Sequence, residues 1–167
     1  MKIHFKLSVD SVKEARRELS DFKKNITNKT ELFLEKLSEI GIDVINTNVA
    51  MATGADDKNV TVETEMYTNG AKTTMIMHIR GEDLLFIEYG AGIYFNRGNQ
   101  HPWAHEHGYG VGTYPGQKHA LDPNGWYYRV GGQLHHSLGT EATMPVYKAY
   151  KTMVERAEEI AKEVFNG

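Results

Sequence analysis

Six of the eight histidines fall between His101 and His136, and such crowding raises metal binding before any other chemistry. His101, His105 and His107 lie close together with Glu106 beside them, and His119, His135 and His136 follow. Zinc accepts three or four imidazole or carboxylate ligands in a tetrahedron. None of the established zinc spacings is present, and Pro102 and Gly108 oppose the helix on which His101 and His105 would share a face. The plainer reading is a set of histidines making polar contacts in an ordered loop, so neither a metal nor a cofactor is expected. Ser137 stands beside His135 and His136, but no Gly-x-Ser-x-Gly elbow presents it as a nucleophile. Gly108-Tyr109-Gly110-Val111-Gly112 has the glycines of a phosphate loop without the preceding strand or a Gly-Lys-Ser/Thr element. Glycoside hydrolysis would require a second carboxylate opposite Glu88, from Glu106, Asp122 or Glu141. These are motif fragments without their structural context, and no catalytic residue is assigned.

Glu88 is better placed for a structural role. It is the single acid in Leu84-Leu85-Phe86-Ile87-Glu88-Tyr89, an apolar run that ends at Gly90 and Gly92. The run predicts a central strand covered on nearly both faces, and the glycines permit backbone angles closed to other residues. A carboxylate there must be paired. It can accept from backbone N–H groups of the loop behind the glycines, or pair with Arg97 or Arg129 across a subunit boundary.

The elements that position this run form an α+β pattern. Ile3, Phe5, Leu7 and Val9 alternate with polar residues and predict a strand. Asp10 or Ser11, with Glu14, would cap a charged surface helix to about Lys24; Asn25 to Lys29 weakens it, and Thr30 offers a new cap. Phe33, Leu37, Ile40 and Val44, with Leu34, Ile45 and Val49 beside them, predict a long amphipathic helix, in which Gly41 marks a close crossing or a kink. Val60 to Met66, the turn at Asn69-Gly70, Thr73 to Ile79 and the central run predict a three-stranded antiparallel meander. Thr143 caps the last helix, with Pro145 in its first turn. Val146, Tyr150, Met153, Ala157, Ile160 and Val164 recur at spacings of four and three, a seam for the domain's own sheet or for a neighbouring subunit.

The segment from Ile93 to Leu138 holds eight glycines, three of the four prolines and both tryptophans. A disordered linker would lack the aromatics. The chain therefore reads as one domain over residues 1–167, with an ordered arm inserted at about 93–140. A β-ribbon is expected within that arm, from Gly125 to His136. Trp103, Tyr114, Trp126 and Tyr127 are its candidate contacts with a partner, since exposed aromatics anchor interfaces.

Phe86-Ile87-Glu88-Tyr89-Gly90-Ala91-Gly92 resembles the "(V/I)-E-(F/Y)-G-(T/A)-G" strand end of a bacteriophage morphogenesis family, the neck and tail-component proteins of long-tailed phages. In that family the strand is followed, often after an insertion, by a "P-F-(L/M)-x-P-A" segment that opens a C-terminal helix. Gly139-Thr140-Glu141-Ala142-Thr143-Met144-Pro145-Val146-Tyr147-Lys148-Ala149 stands in that place here, with one proline and roughly 45 residues between the halves, a long interval for a loop. The resemblance implies a non-enzymatic virion subunit for head–tail joining or tail completion, assembled in the bacterial host cytoplasm. Its implied partners are copies of itself in a ring, adjoining tail-tube, terminator or connector proteins, and passing phage DNA. Glu88, Gly90, Gly92 and Pro145 are then structural positions of the fold. Two further readings compete: a metal-dependent hydrolase using the His-rich loop, and a toxin–antitoxin or other binding module.

Composition narrows the setting. A net charge of −3 gives no bulk attraction for nucleic acid or an anionic membrane. With no cysteine there is no disulfide, thiol nucleophile or thiolate metal site. No apolar run approaches the ~20 residues of a membrane span, and the alternating N-terminus is unlike a signal peptide. A soluble cytoplasmic product is expected.

Overall fold

A computed structural model of the chain describes residues 8–52, 60–94, 101–108 and 122–166. The expected first strand lies almost wholly outside these residues, as do Tyr114, His119, Gly110 and Gly112. The architecture is α+β: a long N-terminal helix, two separate two-stranded antiparallel sheets, a short helix between them and a C-terminal helix.

Helix α1, Val9–Met51, runs for 43 residues, about 65 Å at 1.5 Å per residue. It is capped by Ser8, whose hydroxyl accepts from Ser11 N–H at 3.3 Å, and not by Asp10 or Ser11. The expected interruption at Asn25–Lys29 is absent. Thr27 and Thr30 turn their hydroxyls back onto the carbonyls of Lys23 and Ile26, at 3.1 and 2.9 Å. A threonine bonded four residues back sits inside a helix and does not begin one.

Strands β1, Thr61–Asn69, and β2, Lys72–Arg80, form a hairpin with Asn69 opposite Lys72, as the Asn-Gly turn predicts. Val62 faces Ile79 and Thr64 faces Met77 on one side of this ribbon. That side packs on Ile45 and Val49, near the C-terminal end of α1, and on Ala149 of the C-terminal helix, which together form a buried cluster. The opposite side is polar, with Arg80 paired to Glu63 and His78 near Glu65. The period-two alternation of β1 and β2 thus divides core from solvent.

The third strand of the expected meander is a helix, α2, Leu84–Tyr89. A short apolar run without alternation does not distinguish the two states. Ile87 N–H bonds to Asp83 O at 3.0 Å and Gly90 N–H to Phe86 O at 2.8 Å. The helical turn buries Ile87 and Glu88 and leaves Leu85 outside.

Strands β3, Trp126–Val130, and β4, Gln133–Ser137, form the ribbon expected in the arm, with Trp126 opposite Ser137. Helix α3, Pro145–Asn166, closes the chain and packs antiparallel mainly on α1, with Ala149 also against the β1–β2 ribbon. Lys148 Nζ reaches Asn48 at one end, and Lys29 Nζ reaches Phe165 O at the other. Between them a Cβ on Gly41 would stand 2.8 Å from Met153 Sδ and 3.1 Å from Met77 Cε, so Gly41 marks a close crossing of α1, α3 and β2. The buried positions of α3 are Pro145, Ala149, Ile160 and Val164, while Tyr150 of the expected seam is half exposed. Among the described residues no helix is long and apolar enough to cross a membrane.

Candidate functional site

Three segments far apart in sequence converge on the Glu88 carboxylate, which is 5% exposed. Pro145 opens α3, so the next two N–H groups, of Val146 and Tyr147, have no acceptor inside the helix. Glu88 supplies it: Oε2 accepts from Val146 N–H at 2.8 Å and Oε1 from Tyr147 N–H at 2.9 Å. Negative charge at a helix N-terminus is further favoured by the helix dipole. Thr143, the expected cap, does not serve; its hydroxyl is buried without a hydrogen-bond partner.

The third donor comes from the arm. His101, 3% exposed, places Nε2 2.7 Å from Glu88 Oε1, and its Nδ1 accepts the backbone N–H of Trp103 at 3.1 Å. A nitrogen that accepts carries no proton, so the proton sits on Nε2 and is donated to the carboxylate. The contact is therefore a charge-assisted hydrogen bond from a neutral imidazole. Aromatic rings enclose it. Tyr89 and Tyr147 lie 4.5 and 5.3 Å from the imidazole, and Trp103 packs edge-on against Tyr147 and Tyr150 at 5.0 and 5.2 Å. Both carboxylate oxygens and both imidazole nitrogens are engaged. The arrangement is built to hold segments together.

The backbone repeats the lock. Ala91 and Thr140 exchange two hydrogen bonds of 2.8 Å, and Thr143 N–H donates to Ile87 O at 3.0 Å. Gly90 and Gly92 both have positive φ, 72° and 82°. A Cβ on Gly92 would also meet Leu138 O at 2.6 Å, so this crossing admits only glycine without a shift. Met144, at φ 54°, turns the chain into α3, and its carbonyl accepts the first helical bond, from Lys148 N–H.

The named site residues thus separate into groups. Glu88, Gly90, Gly92 and Pro145 meet at the lock, joined by Trp103, which is half-buried against α3 within the same chain. Trp126 and Tyr127 lie on the β3–β4 ribbon; Trp126 is half-buried, while Tyr127 is 67% and Leu134 59% exposed. Tyr127 lies 4.6 Å from His136, and Tyr128 stacks on His135 at 5.6 Å. Arg129 donates to Gly132 O at 3.2 Å at the tip of its own ribbon, away from Glu88. Arg97 lies outside the described residues; among those described, the backbone alternative for Glu88 is the one found, with α3 rather than the arm supplying the N–H groups. Its remaining donor is His101, which the sequence suggests as a metal ligand or a loop histidine and not as a partner of Glu88. The available signal was complementary need: one acid in an apolar run, and a helix opening on proline with two unpaired N–H groups. Among the described residues no group of three or more His, Asp or Glu is placed to hold a metal ion. Glu106, Asp122 and Glu141 are all exposed, whereas Glu88 is buried.

No protein-family model, curated protein or solved structure matches the chain.

Proposed function

We propose that the chain is a structural subunit of a phage or phage-tail-like particle, acting in the neck or at the tail end, in tail completion or head–tail joining, as one member of an oligomeric ring. The observation that carries this reading is the closure of the two motif halves on each other. Ile87 to Gly92 and Thr140 to Tyr147, separated by the arm, are fastened by Glu88 at the start of α3 and by the Ala91–Thr140 bridge. The resemblance supplies the word phage, and this closure gives its short motif a physical purpose: it roots the arm in the scaffold. The ribbon that projects from this root bears exposed Tyr127 and Leu134, residues suited to contact with a neighbour or an adjoining ring.

In this reading the partners are further copies of the chain and adjoining tail-tube, terminator or connector proteins. A ring needs a heterologous, head-to-tail interface. The mild negative charge suits a conduit along which DNA slides without sticking. The hydrolase alternative has less behind it, because both nitrogens of His101 are used in the lock. Negative-stain microscopy with mass measurement of the purified chain at high concentration tests the proposal. Closed rings of uniform copy number are expected; a chain that stays monomeric at every concentration overturns it.

A further inference from the structure

The β1–β2 ribbon is a sheet with two open edges. Its register runs unbroken over nine pairs, from Thr61 opposite Arg80 to Asn69 opposite Lys72, with no bulge and no proline. Neither strand pairs with a third, and among the described residues no backbone hydrogen bond reaches the outer edge of either. Alternate residues along each strand therefore turn N–H and C=O groups outward without a partner among those residues. Proteins usually blunt such an edge with a bulge, a proline, an inward-pointing charge or a covering segment. Here the inward side is Val62, Thr64 and Met66 beside Met75, Met77 and Ile79, and every charge stands on the solvent side. The charges are also sorted by strand. β1 carries Glu63 and Glu65 and no base; β2 carries Lys72 and Arg80, with His78, and no acid.

We infer that the outer edge of β1 pairs antiparallel with the outer edge of β2 of a second copy of the chain, so that one sheet continues from subunit to subunit. The sorted charges select this partner. Two β1 edges would bring Glu63 and Glu65 of both copies together, and two β2 edges would gather Lys72 and Arg80; like charges on neighbouring strands destabilise pairing. β1 against β2 sets acids beside bases, as Glu63 and Arg80 already pair within the hairpin. Such a contact uses different patches on the two copies, the heterologous kind that a ring needs. Rotation about an axis along the strands leaves strand directions unchanged, so β1 meets a β2 that runs against it, as its own does. The widths of the layers set the curl. Two strands occupy about 10 Å. α1 and α3, both packed on this ribbon, occupy about 16–20 Å. A sheet continued through successive copies therefore curves with strands inside and helices outside. The inference names the interface of the proposed ring and rests on that reading for closure, while the strand contact stands on the ribbon alone.

Charge exchange in the full chain tests the contact. Glu63→Lys with Glu65→Lys makes both edges basic, and Lys72→Glu with Arg80→Glu makes both acidic. Each double variant alone should self-associate at least ~10-fold more weakly than the parent in sedimentation. An equimolar mixture should recover, because each basic β1 then finds an acidic β2 and each acidic β1 a basic β2; mixing does not rescue misfolded chains. Loss in only one of the two variants means that like edges pair in twos, and overturns the inference. A parent that never self-associates, or variants that associate as it does, overturn it as well. Should either variant fold poorly, amide hydrogen exchange of the parent decides: alternate amides of Thr61–Asn69 and Lys72–Arg80 should slow as it assembles, and unchanged exchange overturns the contact. Rings whose edge amides exchange as fast as in the monomer would leave the proposed function standing without this interface. Edge protection in assemblies that never close into rings would do the reverse.

Discussion

The Glu88 lock and the first half of α1 are both amphipathic, yet they treat their side chains in opposite ways. At the lock every polar atom of Glu88 and His101 is matched inside the chain and covered by Tyr89, Trp103 and Tyr147. Along Val12 to Ile26 the apolar residues are as regular as in any core, and none is buried. The lesson is that apolar periodicity reports a demand for a partner without saying where it is met. One region meets it by folding back through His101 and α3; the other keeps its large apolar side chains exposed.

The sharpest way to break this comparison is to empty the lock. Glu88→Ala leaves the N–H groups of Val146 and Tyr147 and the His101 donor without an acceptor in a buried place. It should cost about 3–5 kcal/mol in denaturant unfolding, as loss of one member of a buried charged network does. Glu88→Gln keeps the shape but turns an N–H₂ toward donors, so it should recover only part of that loss. A Glu88→Ala chain as stable as the parent would show that the lock does not hold α3. The next contrast lies within α1 itself. Ile45→Ala, in the covered half, should cost about 2–5 kcal/mol. Leu19→Ala, in the open half, should change unfolding of the dilute chain by no more than about 0.5 kcal/mol. Comparable losses from the two would mean that the open half is packed within the chain after all.

The smallest effect is expected on the solvent face of β1–β2, where a polar contact is not enclosed. The Tyr67 hydroxyl donates to Glu65 and, aided by His78, holds its carboxyl below the usual carboxylate range; the same bond raises the Tyr67 phenol. A lowered folded-state value means that the stabilisation is present above the unfolded carboxylate's titration and lost as pH falls through the folded one. Tyr67→Phe should therefore move the Glu65 titration upward, read by NMR, and flatten the acid-side loss of stability. An unmoved Glu65 titration would show that this hydrogen bond does not form in solution.

Much of the scaffold could be read from residue order. The β1–β2 alternation, the turn at Asn69-Gly70 and the ribbon within the arm are legible and present, and of the two alternatives for Gly41, a close crossing or a kink, the structure has the close crossing. Leu84 to Tyr89 was not, because six residues with one polar member carry too little period to separate strand from helix. The choice was made by α3, whose unpaired N–H groups require Glu88 to stand where a helical turn puts it. The joining of His101 to Glu88 was equally hidden, since a histidine's partner depends on the path of the arm and not on local pattern. The α1 stripe was visible from Phe33 onward, but its uncovered forward extension became evident only once the end of α3 was located.

The Ala91–Thr140 bridge also bears on how such a chain can change over generations. Because both ends of the arm are tied at one point, the chain between them is a closed loop whose entropy grows only with the logarithm of its length. Doubling that length would cost about 0.6 kcal/mol. Provided His101 and Trp103 stay beside the root, the distal part can be lengthened, shortened or exchanged almost without penalty to the scaffold. Lineages carrying this fold would then diversify in the arm while inheriting Glu88 and its two glycines unchanged.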